Sequence, residues 1–545
     1  VSSESVHGEP FFSISLIRDW TAGDGDAAFS LYGQFNDNAA VDLNRDGFSE
    51  ITDKRFLTGG ANTWIYPTDS GKISLNYGYS WEYRRGGNRL ELLPHEAQIT
   101  EQLEHDWHRG GITWEDGDGS GFVYKLAAAA SYVKRDSYYG GVGDTLLPGQ
   151  DDFDAEVYEE ALEDSRLLYG YTDTLRTYFD AFFSRALGDH TFSWGGQYQL
   201  DDVFDEKRDD TNRSLLSDGS LADFKGQDPI ADDEFSDIGF YLQDEWIPDS
   251  AFNLIAGIRA DKHSELSDWV VSPRMAVRHT LNPSLTWRAS IATGFRAPEV
   301  FDEDFHIEIL DDPTRTTNAA DLKEESSTSF SAGFVWTPSE NENRLQIEGE
   351  LFRTELRETF FVSDVVMIDA DGNSFKERTN AGGSRVQGFE LNSSYRFSDR
   401  FSAEAGLTYL DARFNEAQEV LPGVFESRYL ENPEWSGVAQ LRYKNDDFAD
   451  LFLGIVQTGP MIVARESEGV LNRSTDNFWV VDFTVTKHFH LRLGGRIHHI
   501  DVLVGVKNIF DERQKDLTSG PNRDTTYFYG PRFPRSYVLR AGADW

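Results

Sequence analysis

The 545-residue sequence lacks cysteine, is poor in basic residues and contains no long apolar run. Without cysteine the chain can form neither a disulfide framework nor a thiolate metal site. Lysine and arginine number 51 against 94 aspartate and glutamate residues, so the net charge is -43. This balance argues against a nucleic-acid binder that depends on phosphate contacts. Because no apolar stretch is long enough for a membrane helix, a helical membrane protein is also excluded.

Aromatic residues and glycine are plentiful, at 14% and 47 residues, although the mean hydropathy is only -0.51. A transmembrane β-barrel is compatible with low hydropathy, because only every second residue of each strand faces lipid. Aromatic side chains suit the girdles of such a barrel, and glycines suit its turns. We interpret the acidic excess as solvated surface loops, with carboxylates gathered for cations as the alternative.

The C-terminal residues alternate with the period of a β-strand. One side of this segment carries Tyr537, Leu539, Ala541, Ala543 and Trp545. In a soluble sandwich that side would point to a core, whereas in an outer-membrane barrel it would face lipid and end at an aromatic girdle. Segments with the same two faces recur at 192–200, 238–243 and 435–443. The pattern predicts an all-β protein.

Short and long connections between these segments alternate strictly along the chain. The short ones, rich in Gly, Asp, Asn and Pro, are 21–25, 67–71, 115–121, 186–190, 247–251, 281–285, 338–343, 397–400, 444–448 and 492–496. The long ones are 37–53, 84–100, 136–173, 201–234, 261–272, 299–327, 364–384, 411–433, 459–477 and 512–526. Short turns opposite long loops are typical of outer-membrane barrels. The sequence therefore predicts a transmembrane antiparallel β-barrel.

Several motifs resemble those of TonB-dependent outer-membrane receptors. They are GVKNIFD (505–511), RDTTYFYGPRFPRSY (523–537), NDNAAVDLNRDGFSEI (36–51), TGFRAPEVFDEDFHIEI (293–309) and NAGGSRVQGFEL (380–391). The resemblance implies a barrel of the 22-stranded type, plugged by an N-terminal domain. Counting the alternating segments gives about 21 strands, the first at 11–19. Because bacterial single-chain barrels have even strand numbers, one further strand is expected. Residues 1–545 are thus expected to form one barrel domain, with the plug and first strand outside the given sequence.

The resemblance also implies a function. Such receptors sit in the outer membrane of Gram-negative-type bacteria, bind a scarce nutrient such as an iron chelate or cobalamin, and import it with TonB. The implied partners are outer-membrane lipid, the small-molecule nutrient, a plug supplied by a missing segment or another chain, and the TonB complex through that plug. No nucleic-acid partner and no enzyme activity are expected, since the sequence carries no Ser/His/Asp order, phosphate loop or HExxH motif. The alternative is a plugless porin or a structural barrel of a larger surface assembly.

A calcium-like loop has the sequence DLNRDGFSEITD, at residues 42–53. Its oxygen ligands would come from the side chains of Asp42, Asn44, Asp46, Glu50 and Asp53 and from the carbonyl of Phe48. A hard cation needs several converging oxygens, and this spacing matches an EF-hand loop with glycine at its turn. No EF-hand helices flank the loop and its last ligand is Asp, so we expect weak binding of Ca2+ that orders the loop. The alternative is a solvated hairpin loop without an ion.

Aromatic and basic residues near the long loops are candidate ligand contacts. Tyr138, Tyr139, Tyr169 and Tyr171 belong to the longest connection, and aromatic side chains can capture a bulky small molecule with little entropy loss. Tyr169 and Tyr171 could instead belong to an aromatic girdle. Arg296 is a candidate contact for an anionic group, with structural pairing to an interior carboxylate as the alternative.

Overall fold

The structure, a computed structural model, describes residues 1–545 except 24, 209–230, 300–314, 339–343, 363–366, 369–373, 446–447, 466–467, 494–495, 522, 525–526 and 544–545. Its strands are β1 (Ser2–Val6), β2 (Glu9–Thr21), β3 (Ala27–Asn38), β4 (Phe48–Ile65), β5 (Lys72–Asn88), β6 (Thr100–Gly117), β7 (Phe122–Gly140), β8 (Tyr169–Leu187), β9 (His190–Arg208), β10 (Ala231–Trp246), β11 (Phe252–His263), β12 (Val270–Asn282), β13 (Leu285–Arg296), β14 (Arg315–Asn318), β15 (Glu325–Trp336), β16 (Leu345–Arg357), β17 (Thr359–Val362), β18 (Met367–Ile368), β19 (Ser374–Ala381), β20 (Ser384–Arg396), β21 (Phe401–Leu421), β22 (Val424–Arg428), β23 (Trp435–Tyr443), β24 (Asp450–Thr458), β25 (Val463–Arg465), β26 (Val470–Asn472), β27 (Phe478–Leu493), β28 (Arg496–Lys507) and β29 (Ser536–Ala543). One α-helix, α1 (Ala155–Ser165), and two 3₁₀ turns, Pro94–Glu96 and Arg166–Leu168, complete the described elements.

The strands close into an antiparallel barrel, and 22 of them form its wall in the described part of the chain. In order around the wall they are β1 to β13, β15, β16, β20, β21, β23, β24, β27, β28 and β29. The barrel closes where β1 pairs with both β2 and β29, with Val6 opposite Glu9 and Ser536. The predicted barrel of the 22-stranded type is therefore confirmed.

The expectation that the first strand lies outside the sequence was wrong. Residues 2–6 form β1, and they occupy the position between β2 and β29. The segment SSESV has one apolar residue and no alternating apolar face, so it carries no sequence signal of its own. Its extended form comes from hydrogen-bonding neighbours on both sides, and Val6 is fully buried there.

All ten predicted short connections join neighbouring wall strands at one end of the barrel, which we call the turn end. The long connections meet at the opposite end, the loop end. They carry α1, the small sheet of β14, β17, β18 and β19, and the hairpin of β25 and β26. The terminal Trp545 lies outside the described residues, as do parts of several short connections, such as 339–343 and 494–495, and of several long ones, such as 209–230 and 300–314. None of the described helices is long and apolar enough to cross a bilayer.

The two faces of the wall differ as the alternating pattern predicts. On β10, Phe240 and Leu242 point outward and each is 53% exposed. Tyr241 points inward, and a Cβ at Gly195 would meet its hydroxyl. Their neighbours on β11 follow the same rule, since Ile258 is opposite Leu242. The outer face is thus apolar, although the composition as a whole is polar.

Aromatic rings border this apolar band at both ends. At the turn end, outward-facing rings of neighbouring strands contact one another. The distances between ring centroids are 5.5 Å for Trp114–Tyr124, 5.9 Å for Phe183–Trp194, 6.1 Å for His190–Trp246, 5.8 Å for Trp246–Phe252 and 6.0 Å for His279–Trp287. Toward the loop end, Phe389, Tyr409 and Trp435 form an aromatic triad. On β21 the band from Phe401 to Tyr409 is roughly 27 Å long at about 3.4 Å per residue. Allowing for strand tilt, that suits a lipid-facing band of about 25 Å.

Candidate functional site

The DLNRDG loop, residues 42–53, comprises the end of the β3–β4 connection and the first residues of β4, at the loop end. Its turn is built around the Asp42 carboxylate, which accepts hydrogen bonds from the backbone N–H groups of Arg45 (2.6 Å), Asp46 (3.2 Å) and Gly47 (2.7 Å). Gly47 has a φ of 91°, a left-handed conformation that glycine adopts without strain. The predicted sharp turn is present, and acidic side chains hold it.

Three of the predicted ligand residues lie together. Oxygen atoms of Asp42, Asp46 and Glu50 are all within 4.8 Å of one another, and Asn44 is hydrogen-bonded to Asp46 (3.3 Å). Asp53 lies farther along β4, opposite Arg85 of β5. The carboxylate group is therefore compact, but it is smaller than the ligand set that the spacing predicts.

A cation from a distant part of the chain reaches this carboxylate group. Arg523, in the last long loop (508–535), places Nη2 2.5 Å from Asp46 Oδ2 and Nη1 3.1 Å from Glu50 Oε1. Its guanidinium lies over the Phe48 ring, 4.9 Å from the centroid. The Gly520 N–H also donates to Asp46 (3.0 Å). The two loops are thus joined through one buried ion-pair network.

The electrostatics of the two carboxylates differ. Burial, together with the nearby negative charges of Asp42 and Asp46, raises the pKa of Glu50 although Arg523 opposes the shift. Burial alone would also raise the pKa of Asp46, but hydrogen bonds from the Gly520 and Phe48 N–H groups and the charge of Arg523 lower it below its usual value. Asp46 is consequently the stronger anion of the pair and the main anchor for a cation.

Tyr138 and Tyr169 are packed inside the β7–β8 connection. Tyr138 is 1% exposed, its ring centroid is 4.6 Å from that of Tyr169, and its hydroxyl lies 2.6 Å from Ser165 Oγ. The Tyr169 hydroxyl is 2.9 Å from His95 Nδ1. These two predicted ligand residues lie in a buried cluster and not on the loop surface.

The other two tyrosines lie on opposite faces of the wall. Tyr171 points outward and donates a hydrogen bond to Asp173 (3.1 Å), as does Tyr132 (2.7 Å). Tyr139, next to Tyr138 on an alternating strand, points to the interior, and burial raises its pKa. Of the four predicted tyrosines, Tyr139 is the one placed to face a molecule inside the barrel.

Arg296 ends β13 at the loop end. Its Nη1 is 3.8 Å from Glu325 Oε2, and its guanidinium lies 5.8 Å from the centroid of Phe360. The side chain is still 48% exposed. The expected pairing with an interior carboxylate is present, and the guanidinium remains accessible to a ligand.

The interior wall is polar, and arginine–carboxylate pairs neutralise it. Arg176 Nε lies 2.6 Å from Asp201 Oδ1, and Arg259 Nη2 lies 2.6 Å from Asp261 Oδ1. A recess of about 540 Å³ in the inner wall is lined by polar side chains, among them Gln346, Glu348 and Asp482, and by the apolar side chains of Val438, Phe452, Val456 and Val480. The interior can therefore accommodate mixed polar and apolar surface. Two of its arginines are paired with carboxylates, whereas Arg274 contacts Gln243 and Arg442 contacts Gln440.

A family model described as "TonB dependent receptor-like, beta-barrel" matches residues 19–509. The chain belongs to this family. The family and the similar solved structures are transport receptors and not enzymes. No curated protein sequence matches this receptor barrel.

Solved structures with the same fold cover nearly all of this receptor barrel. The siderophore receptor PirA from Acinetobacter baumannii is 15% identical with a TM-score of 0.70, over 99% of this chain and 79% of that one. The ferric-catecholate import receptor Fiu from Escherichia coli K12 is 14% identical with a TM-score of 0.67, over 99% and 80%. The copper transporter OprC is 13% identical with a TM-score of 0.68, over 99% and 79%. Similarity at these identities establishes the shared fold.

Proposed function

We propose that this protein is an outer-membrane receptor that binds a scarce nutrient at its loop end and admits it through the barrel. The observation that carries the proposal is the closed 22-stranded barrel, matched by the receptor family over residues 19–509. Its long loops gather at one end, where a ligand outside the cell would arrive. The apolar outer face and its two aromatic borders support a location in the outer membrane.

The cargo that we propose is a metal chelate of the siderophore class. The similar receptors are named for siderophores, ferric catecholates and copper. In this chain Tyr139 and the accessible Arg296 are candidate contacts. Because the chain is acidic, and Arg176 and Arg259 of the interior are already paired with carboxylates, a chelate of low net charge suits the barrel better than a polyanion. A cobalamin-like ligand is the second candidate, favoured by the calcium-like DLNRDG loop.

Transport is proposed to require a plug and coupling to TonB. The plug would be a segment outside the given sequence or a separate chain, and the recess of the inner wall, with both polar and apolar side chains, supports contact with such a domain. A plugless porin is the alternative. The two differ in conductance, since an open barrel of this width passes ions and a plugged one does not.

The proposal is tested with the receptor purified from its native membrane. We expect saturable binding of one ferric chelate by tryptophan fluorescence, loss of growth on that chelate when the gene is deleted, and little conductance in planar bilayers. Saturable binding of cobalamin, and not of a ferric chelate, would identify the cobalamin-like ligand as the cargo. A large permanent conductance without any saturable ligand would overturn the receptor function in favour of a pore.

We also propose that the DLNRDG loop holds Ca2+ when Arg523 withdraws. The carboxylates of Asp42, Asp46 and Glu50 fit a hard cation, but the guanidinium of Arg523 already neutralises two of them. Calcium and Arg523 should therefore compete for the same oxygens. The variant Arg523→Gln is expected to bind Ca2+ at least tenfold more tightly than the parent protein in calorimetric titrations. Asp46→Asn in the Arg523→Gln background is the control that should abolish binding, and a parent-like affinity in Arg523→Gln would contradict the competition.

A further inference from the structure

Arginines cluster on the outer face of the wall, just beyond the aromatic triad toward the loop end. Arg353 of β16 is opposite Gln387 of β20, which is opposite Asp411 of β21. Two residues closer to the loop end on the same face, Arg385 of β20 is opposite Arg413 of β21. These residues share the face of Phe389 and Tyr409, because side chains alternate along a strand and Gln387 and Asp411 lie two residues from those rings. We call Arg353, Arg385 and Arg413 the arginine rim.

The arginine rim is organised around one shielded carboxylate. Asp411, with its side chain 10% exposed, accepts from Arg413 Nε (2.5 Å) and Gln387 Nε2 (3.2 Å) and lies 3.8 Å from Arg385 Nη2. Arg353 Nε donates to Glu355 (3.1 Å). The negative charge of Glu434 also acts on Arg413, and Glu434 is paired with Arg428 (3.4 Å). Counting this pair, four arginines face three carboxylates, and positive charge remains in excess.

The guanidinium groups of the rim are available to a ligand. The side chains of Arg353, Arg385 and Arg413 are 48%, 39% and 43% exposed. Within the described part of the chain, Arg385 Nε is buried without a hydrogen-bond partner. Arg357, at the loop end of β16, adds another positive charge beside Glu355. A chain with a net charge of -43 therefore carries a local positive patch on its lipid side.

The outer rim at β6 and β8 carries negative charge instead. On β6 and β8, the outward positions at the same end hold carboxylates that are hydrogen-bonded to aromatic side chains. Trp81 donates to Glu104 (3.0 Å), Tyr79 donates to Asp106 (2.5 Å) and Tyr132 donates to Asp173 (2.7 Å). Lys134 of β7 and Arg55 of β4 are isolated positive charges on this side, each over a tyrosine ring, whereas three arginines lie together at β16, β20 and β21.

We propose that the arginine rim binds the phosphate groups of lipopolysaccharide in the surrounding outer leaflet. The proposal rests on the outer-membrane location given above. Arg353, level with Gln387, lies roughly 7 Å along the strand direction from Phe389, and Arg385 and Arg413 lie roughly 14 Å from it, at about 3.4 Å per residue. This places the guanidinium groups at headgroup depth. Guanidinium groups bind phosphate through paired, charge-assisted hydrogen bonds. The acyl chains of the same lipid would lie against the apolar band below.

The test compares bound lipid between the full receptor and matched variants. The double variant Arg385→Ala/Arg413→Ala is expected to retain at least tenfold less lipopolysaccharide per barrel, measured by native mass spectrometry after purification from outer membranes. Arg385→Gln replaces a guanidinium whose ion pair with Asp411 is long, at 3.8 Å. This variant should therefore bind less lipopolysaccharide with little risk to folding. The control is Arg55→Ala, because Arg55 lies outward on β4, 53% exposed and 3.7 Å from Asp37.

Reconstitution separates lipid sources and failure modes. In bilayers containing lipopolysaccharide, the variant barrels should bind less of this lipid than the parent barrel does. Dephosphorylated lipopolysaccharide should bind the parent and variant barrels equally weakly. Equal retention by Arg385→Gln and the parent, or equal binding of phosphatidylglycerol and lipopolysaccharide by the parent, would overturn the proposal. Heat-modified migration on gels reports barrel insertion separately. If the barrel inserts and binds its nutrient but its lipopolysaccharide binding does not depend on the arginine rim, only the proposed role of the rim is refuted. If the barrel does not insert, the proposed outer-membrane location is refuted.

Discussion

Replacing Arg523 with alanine is expected to detach the last long loop from the DLNRDG loop. The side chains of Arg523 and Glu50 are 8% and 6% exposed, so the variant leaves buried carboxylates without their cation. Removing one partner of a buried ion pair costs about 3–5 kcal/mol. Since each 1.4 kcal/mol is tenfold, local opening of the two loops should become more frequent by at least about a hundredfold. Hydrogen exchange at the Gly520 amide, which is bonded to Asp46, measures this change.

A surface ion pair in the same loop supplies the control. Lys515 lies 3.4 Å from Asp476, and the two side chains are 78% and 62% exposed. Exposed pairs contribute about 0–1 kcal/mol, so Lys515→Ala should leave exchange in the loop nearly unchanged. Arg523→Lys should give an intermediate result, because an ammonium group cannot bridge two carboxylates as a planar guanidinium does. Parent-like exchange in Arg523→Ala would show that the loops are held by other contacts.

The barrel could be predicted from sequence because its signals are local and repeated. Alternating strands such as 435–443 and turns such as 186–190 each span a few residues, and the pattern recurs around the whole wall. The short strand β1 could not be predicted in this way. Its conformation depends on β2 and β29, and β29 lies more than five hundred residues away in the chain.

The candidate site could be predicted only in part, for the same reason. The spacing within 42–53 identified Asp42, Asp46 and Glu50, which the structure brings together. Nothing local indicates that Arg523 reaches them from across the seam of the barrel. Likewise, Tyr138 and Tyr169 were predicted as ligand contacts because the loop is rich in aromatic residues. The number of aromatic residues in a loop does not show whether a given ring is exposed on its surface or buried inside it. The arginine rim emerges only when strand register brings three separate segments onto one face.

Replacing Tyr138 with alanine is expected to loosen the whole β7–β8 connection. The ring is almost fully buried against Tyr169, and its hydroxyl contacts Ser165, the last residue of α1. Truncation of a buried aromatic ring to alanine costs about 3–5 kcal/mol because it leaves a cavity. Limited proteolysis between residues 141 and 168 should therefore become faster by at least about a hundredfold, since each 1.4 kcal/mol is tenfold. Val157→Ala, at a helix position 53% exposed, should change it little.

The variant Tyr138→Phe distinguishes a structural role from a ligand-binding role. It keeps the ring packed and removes one hydrogen bond, so the loop should lose only about 1 kcal/mol and stay resistant to protease. If Tyr138 supports the loop from within, nutrient affinity in Tyr138→Phe should match the parent, and affinity in Tyr138→Ala should fall together with protease resistance. If the hydroxyl instead contacts the nutrient, Tyr138→Phe should lose affinity while its loop remains intact. The burial of the side chain and its bond to Ser165 favour the first result, which would leave Tyr139 and Arg296 as the predicted contacts to test next.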